Sequence, residues 1–217
     1  MHRFLDQSIE FMPILLTGVK LTILVTLGSL LVSTVLGMIW ALMRVSGVPL
    51  LAGVALTIIN VIRGIPIIVQ LFYIYFVLPD FGITLTALQA AIIGLGIAYS
   101  AYQAENFRAG IEAIDHGQVE AAQSIGMGWA LMMRRVILPQ AVRIVLPPYG
   151  NTMIMMLKDS SQASTITVAE LALQGKLIAS ATFQNSTVFT LVALLYLTMS
   201  IPLILIVGHL EKRFGRK

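Results

Sequence analysis

Long stretches of this chain carry no charge, and the charges mark where those stretches end. Lys20 and Arg44 bracket 23 uncharged residues, Asp80 and Glu105 bracket 24, and Lys176 and Glu211 bracket 34. Each gap accommodates a membrane-crossing helix of about 20 residues. Two further apolar stretches are interrupted. Residues 51–78 include Arg63, Gly64 and Pro66, and residues 142–163 include Arg143, Pro147, Pro148, Lys158 and Asp159. Together they predict five spans in an all-α, polytopic transmembrane domain over residues 1–217.

The connections are unequal. Residues 46–49 and 79–82 form short turns, while residues 106–140 form a long connection with the densest polar content in the chain. A fourth connection, 166–186, has room for a short helix over about 169–178. Within the long connection, Asp115 and Gln118 have capping-box spacing at the start of a helix. That helix runs through Val119, Glu120, Ala121 and Ala122 to about Ile125, where Gly126 and Gly128 end it. A second helix over 130–137 carries Met132, Met133, Arg134 and Arg135, and Leu138-Pro139 precedes the next span. Small Ala121 and Ala122 permit close approach of another surface, and Glu120 offers a charge. From chemistry alone, a helical hairpin lying on the membrane surface without a partner fits equally well.

Composition excludes a soluble enzyme. The chain is 58% hydrophobic and 11% charged, with mean hydropathy +0.90. Soluble domains carry roughly a quarter charged residues, and one of this size could not hide so much apolar surface. The absence of cysteine excludes disulfides, thiolate metal sites and thiol nucleophiles. His116 and His209 have no second histidine at metal-ligand spacing, so no metal site is expected, and nothing suggests nucleic acid as a partner. Arg3 is followed by Asp6 and Glu10, and the first apolar run exceeds a signal h-region of roughly 7–15 residues, so it is read as a span.

Five spans place the termini on opposite sides. With the C-terminus inside, ten cations fall inside: Arg44, Arg63, Arg108, Arg134, Arg135, Arg143, Lys212, Arg213, Arg216 and Lys217. Four, Arg3, Lys20, Lys158 and Lys176, do not. The positive-inside rule then selects N-terminus out and C-terminus cytoplasmic, with the basic tail as a topology signal.

Glu120-Ala121-Ala122, Gly126 and Val136-Ile137-Leu138-Pro139 resemble the EAA motif of ABC importer permeases, with Val136 in place of the usual Ile. Arg63-Gly64-Ile65-Pro66 with Gln70, and Ala101-Tyr102 with Glu105 and Arg108, resemble stretches of the polar amino-acid permeases of histidine, glutamine, arginine and opine type. So do Ile137-Leu138-Pro139-Gln140-Ala141, Leu146-Pro147-Pro148, Gly150-Asn151, Lys158-Asp159-Ser160-Ser161 and Val168-Ala169-Glu170-Leu171. The likeness runs in order along nearly the whole chain.

The resemblance implies a type I importer permease fold in the bacterial inner membrane. Its coupling region, about 113–141, docks on an ATPase through Glu120, Ala121, Ala122 and Gly126, with Leu138 and Pro139 closing the motif. It implies two ABC ATPase subunits, a second permease subunit (the same chain or a paralogue) and an external solute-binding protein, besides membrane lipid. The chain has no GxxxxGK[ST] phosphate loop. It is thus expected to hold no cofactor and not to be an enzyme, with ATP and Mg on the partner ATPase.

Ionisable groups inside spans are functional candidates. Asp159, Ser160 and Ser161, with Ala98, Tyr99 and Thr152, are read as the substrate pathway. The alternatives are a buried structural pair, a snorkelling Lys158, and helix–helix hydrogen bonding by the hydroxyls. Arg63, Gly64, Pro66 and Gln70 mark a broken helix serving as gate or subunit contact. Glu105 and Arg108 are read as a structural pair at i, i+3. Ala98 and Thr152 stand where many relatives are more polar, and Met153, Met155 and Met156 follow. Such walls disfavour a strongly cationic substrate. An intramembrane enzyme would need a paired nucleophile and base, but no histidine lies within a span and no GxSxG is present. An ion-coupled carrier would usually show internal repeats, and none is apparent.

Overall fold

The computed structural model describes residues 2–214, with side chains from Gln7 onward. The expectations placed on Arg3, Asp6, Arg216 and Lys217 lie outside the described side chains. Described residues form nine α-helices joined by 3₁₀ and π turns: α1 (His2–Arg44), α2 (Pro49–Gly64), α3 (Ile67–Phe72), α4 (Ala87–Glu112), α5 (His116–Ser124), α6 (Trp129–Met132), α7 (Leu138–Asp159), α8 (Leu171–Thr182) and α9 (Asn185–Phe214).

Two helices are long and apolar enough to cross a membrane unaided, over Gln7–Arg44 and Asn185–Phe214. A third crossing is a pair, Pro49–Gly64 and Ile67–Phe81, bent by 98° at Gly64-Ile65-Pro66. The expected interruption of span two is thus a sharp elbow. Pro66 explains it: proline removes a backbone donor and biases the residue before it toward extended backbone, and Ile65 has φ −108° and ψ 128°. Helices α4 and α7 extend about 39 and 33 Å at 1.5 Å per residue. They tolerate more polar sequence because other helices enclose them; Ala98, Ser100 and Gln103 of α4 are all buried.

The helices pack backbone to backbone through glycines. Against α4, a Cβ on Gly37 of α1 would lie 2.7 Å from the Gln103 Cβ, and one on Gly96 of α4 would lie 2.5 Å from Val32 of α1. Val145 of α7 fills the notch at Gly110 of α4, and Val207 of α9 fills that at Gly150 of α7. Small residues let membrane helices gain the van der Waals contact that replaces hydrophobic drive in lipid.

At one end, Leu42 of α1 and Val45 just after it meet Ile111 and Ile114, Ala122 of α5, and Met132, Met133, Ile137 and Ala141. At the other, Phe11 and Leu15 of α1 pack with Ile178 and Ala179 of α8 and Val188 and Leu191 of α9. There Glu170, fully buried, caps α8 by accepting from the backbone N–H of Ala172 (2.9 Å) and Leu173 (2.8 Å). It also accepts from the Tyr196 hydroxyl (2.9 Å), while Thr22 Oγ1 accepts from the Leu171 N–H (3.2 Å). One carboxylate thereby ties α8 to α9 beside α1.

Several boundaries differ from the sequence reading. The third long helix starts at Ala87, later than the charge gap, because Thr86 and Gln89 form a reciprocal capping box. Residues 78–82 are a 3₁₀ turn ending at Gly82, φ 82°. The long polar connection is also shorter than expected. Helix α4 continues to Glu112, and from Trp129 the chain is helical through a π turn, Met133–Ile137, into α7. Leu138-Pro139 therefore lies inside a continuous helix, not in a loop before it. Arg63 does not belong with the end-loop cations: it stacks on Tyr102 at 5.5 Å, about 15 Å along α4 from its end at Glu112.

Replacing Gly37 by Val should lower stability by about 1–3 kcal/mol, the cost of overpacking. Gly53→Ala, where an added Cβ meets nothing within 4 Å, should be neutral or stabilising. Thermal unfolding of both variants in mild detergent checks the contrast.

Candidate functional site

Helix α5 projects from the end of the bundle where α4 turns into α7. Asp115 starts it, with Oδ1 accepting from the Gly117 N–H at 2.7 Å. The capping box with Gln118 does not form, since the Gln118 N–H donates to the Asp115 carbonyl. Ile125 ends the helix and Gly126 follows with φ 77°. The Met127 N–H reaches the Ala122 carbonyl (3.1 Å) and the Gly126 N–H that of Gln123 (2.9 Å). This is a Schellman stop, which favours glycine at the left-handed position. Gly128 has ordinary φ and begins α6.

Along α5, Glu120 and Ala121 are exposed, whereas Ala122 is 4% exposed and packed into the cluster beneath. Ala122 therefore offers no outward surface; its small side chain lets α5 lie flat on α6 and on the π turn Met133–Ile137 that continues into α7. Ile125 and Trp129 beside it are exposed at 74% and 47%, apolar surface next to a charged helix face. Leu138 is half-buried and Pro139 exposed.

At its other end α7 carries Lys158, exposed, and Asp159, half-buried. The Tyr99 hydroxyl donates to Asp159 Oδ2 at 2.7 Å, joining α4 to α7. Two of the expected pathway residues thus meet across helices. Ser161 is half-buried beside them and donates to the Lys158 carbonyl. Three others face the subunit interior. Ala98 is 1% exposed, Ser160 is enclosed and donates to the Leu157 carbonyl, and Thr152 is buried. The Asn106 amide donates to both Thr152 Oγ1 (3.0 Å) and Gln103 Oε1 (3.2 Å). Asn106 and Gln103 escaped the sequence reading, although both fall in the polar face of a span.

Gln70 clasps the elbow. Its Nε2 donates to the carbonyls of Ile62 and Ile65, each at 2.8 Å, taking up acceptors left over where the helix breaks at Pro66. Arg63 and Gly64 on its α2 side are exposed. Glu105 and Arg108 do pair, at 2.7 Å, and Arg108 also bridges to Glu112, a partner the i, i+3 pattern alone did not reveal. This places a charge-assisted clamp on the last turns of α4, next to α5.

The family of binding-protein-dependent transport system inner membrane components matches residues 33–216. The chain belongs to this family. The permease is 38% identical over 208 residues to the probable amino-acid ABC transporter permease protein YckA of Bacillus subtilis, covering 96% of this chain and 92% of that one. It is 38% identical to the L-cystine transport system permease protein TcyB of the same organism, covering 95% and 89%. The crystal structure of an amino acid ABC transporter with histidines superposes with TM-score 0.88 at 38% identity, over 97% of this chain and 98% of that one. The permease is therefore a membrane transport subunit with the type I importer fold.

Gln70→Leu should leave the Ile65 carbonyl without a donor and the Ile62 carbonyl with only the long Ile65 N–H contact at 3.5 Å. The expected cost is about 1–3 kcal/mol, read as a lower unfolding temperature in detergent relative to the parent permease.

Proposed function

We propose that this permease forms half of the membrane pathway of an ATP-driven importer for an amino acid or amino-acid derivative. A second permease subunit completes the pathway, two ATPase subunits bind ATP and Mg and drive it, and an external solute-binding protein delivers the substrate. The observation that carries the coupling reading is the two-sided character of α5. Glu120 and Ala121 are exposed beside apolar Ile125 and Trp129, while Ala122 seats the helix on α6 and the π turn that runs on into α7. A helix so seated transmits a push into long helices as rigid-body motion. The N-terminus lies outside and the α5 end is cytoplasmic, in keeping with Arg44, Arg108, Arg134, Arg135 and Arg143 in or next to the elements of that end.

The substrate class rests on the relatives, which include permeases named for amino acids, for L-cystine and for nopaline. Within the membrane, Asp159 with Tyr99 and Ser161 is the polar group available to a substrate ammonium. Asp159 lies about 31 Å along α7 from Leu138, so one helix joins the coupling end to the pathway. Ala98, Thr152 and Ser160 act from behind this surface by setting how α4 and α7 meet. Arg63, Gly64, Pro66 and Gln70 form the elbow of a gate.

With the ATPase, the binding protein and lipid reconstituted, Glu120→Arg should reduce stimulated ATP hydrolysis about tenfold or more, the scale of a coupling free energy. The basal hydrolysis of the ATPase alone should stay unchanged. Unaltered stimulation would remove α5 from the coupling path. Separately, Asp159→Asn should slow amino-acid uptake in proteoliposomes while ATPase recruitment is retained; equal uptake would exclude Asp159 from the pathway.

A further inference from the structure

A groove opens between α1, α4 and α7, away from Asp159. Its wall is apolar, with Met38, Phe107, Leu138, Ala141 and Val145 among the lining side chains. Its deep end is closed by Thr34 and Tyr149, hydrogen-bonded to each other at 2.8 Å, with Tyr149 stacked on Phe107. Its shallow end is Leu138, beside the cluster that seats α5. From Leu138 to Tyr149 the groove follows α7 for roughly 16 Å at 1.5 Å per residue. That is about half of a hydrocarbon core roughly 30 Å thick, the depth of one leaflet.

Beyond Leu138, one turn further toward the α5 end, the same helix carries Arg134 and Arg135, both exposed. Arg143 is exposed next to Val142, which also lines the groove. Among the described residues the ion pairs are those of Arg108 with Glu105 and Glu112, so none of these three arginines is neutralised by a carboxylate. A one-leaflet apolar groove ending at unneutralised cations complements a molecule with an acyl chain and an anionic head. Basic pockets between membrane helices at the cytoplasmic face bind acidic lipid head groups in this way.

We infer that the groove between α1, α4 and α7 binds an anionic phospholipid of the leaflet on the α5 side. One acyl chain lies along α7 as far as the Thr34–Tyr149 pair, and Arg134 and Arg135 hold the phosphate, with Arg143 reaching it along its aliphatic stem. A lipid wedged there touches three long helices, one of which continues from the π turn beneath α5, so it bears on their relative movement.

The test is native mass spectrometry of the full-length chain purified in mild detergent and titrated with phosphatidylglycerol or phosphatidylcholine. Phosphatidylglycerol should be retained in preference to phosphatidylcholine. The double variant Arg134→Gln/Arg135→Gln should lose about fivefold in affinity per arginine, roughly thirtyfold in all. Val142→Trp, at an exposed edge of the groove, should fill it and weaken retention while leaving both arginines in place. Equal retention of the two lipids would overturn the proposal, as would phosphatidylglycerol binding undiminished in either variant. A double variant that keeps its lipid but no longer co-purifies with an ATPase would assign the arginines to that protein instead.

Discussion

Close approach of helix backbones is the constraint on which the rest of this structure depends. In lipid, apolar side chains gain nothing by leaving their surroundings for each other, so helices adhere where they touch over the largest area. Here the contact is made by glycines facing β-branched residues: Gly96 against Val32, Gly110 against Val145, Gly150 against Val207 and Gly175 against Val192. These pairs link α1, α4, α7, α8 and α9 into one packed unit. Because the backbones are so near, short polar side chains such as Asn106 and Thr152 reach across between helices. The buried polar network is a consequence of the glycines as much as of the polar residues.

That packing also decides how α5 is held. Helix α5 is only nine residues long, too short to be stable in isolation. It holds its shape because the Schellman stop at Gly126 and the Asp115 cap satisfy its ends, and because Ala122 anchors it to the bundle. The same cluster contains parts of α1, α4 and α7. Helix α5 rests on α6 and the π turn Met133–Ile137, which runs without a break into α7. The elbow at Gly64-Ile65-Pro66 is constrained differently, by the Gln70 clasp and the stacking of Arg63 on Tyr102. It joins two segments that are held separately, the geometry of a hinge.

The sequence pattern was most legible where a single residue has a local physical effect. Proline and glycine after Arg63 marked a break that became a 98° bend, and Gly126 marked a helix stop that needs positive φ. The Glu105–Arg108 pair followed from helix spacing alone. Charge gaps served less well as helix limits. They displaced the start of α4, because the Thr86 cap, not the first charge, sets it. The helix read over 130–137 was kept apart from the next span, whereas a π turn joins the two into one helical run. Arg63, read as interrupting a span yet counted with the inner-side cations, is held within the helical layer by the face of Tyr102.

Composition, charge-free stretches and ordered motifs by themselves determined that the chain is a helical membrane protein, and the motif spacing identified the segment that becomes α5. These are properties of local residue order, which hydropathy and turn chemistry report directly. Only the tertiary structure decided which face each residue presents. It turned Ala122 inward and Ala121 outward, buried Ala98 and Ser160, brought Tyr99 to Asp159 across sixty residues of sequence, and made Glu170 a buried cap shared with Tyr196. Such outcomes depend on how helices rotate to seat glycine against valine. That rotation minimises a sum over many contacts between distant segments, so no single stretch of sequence encodes it.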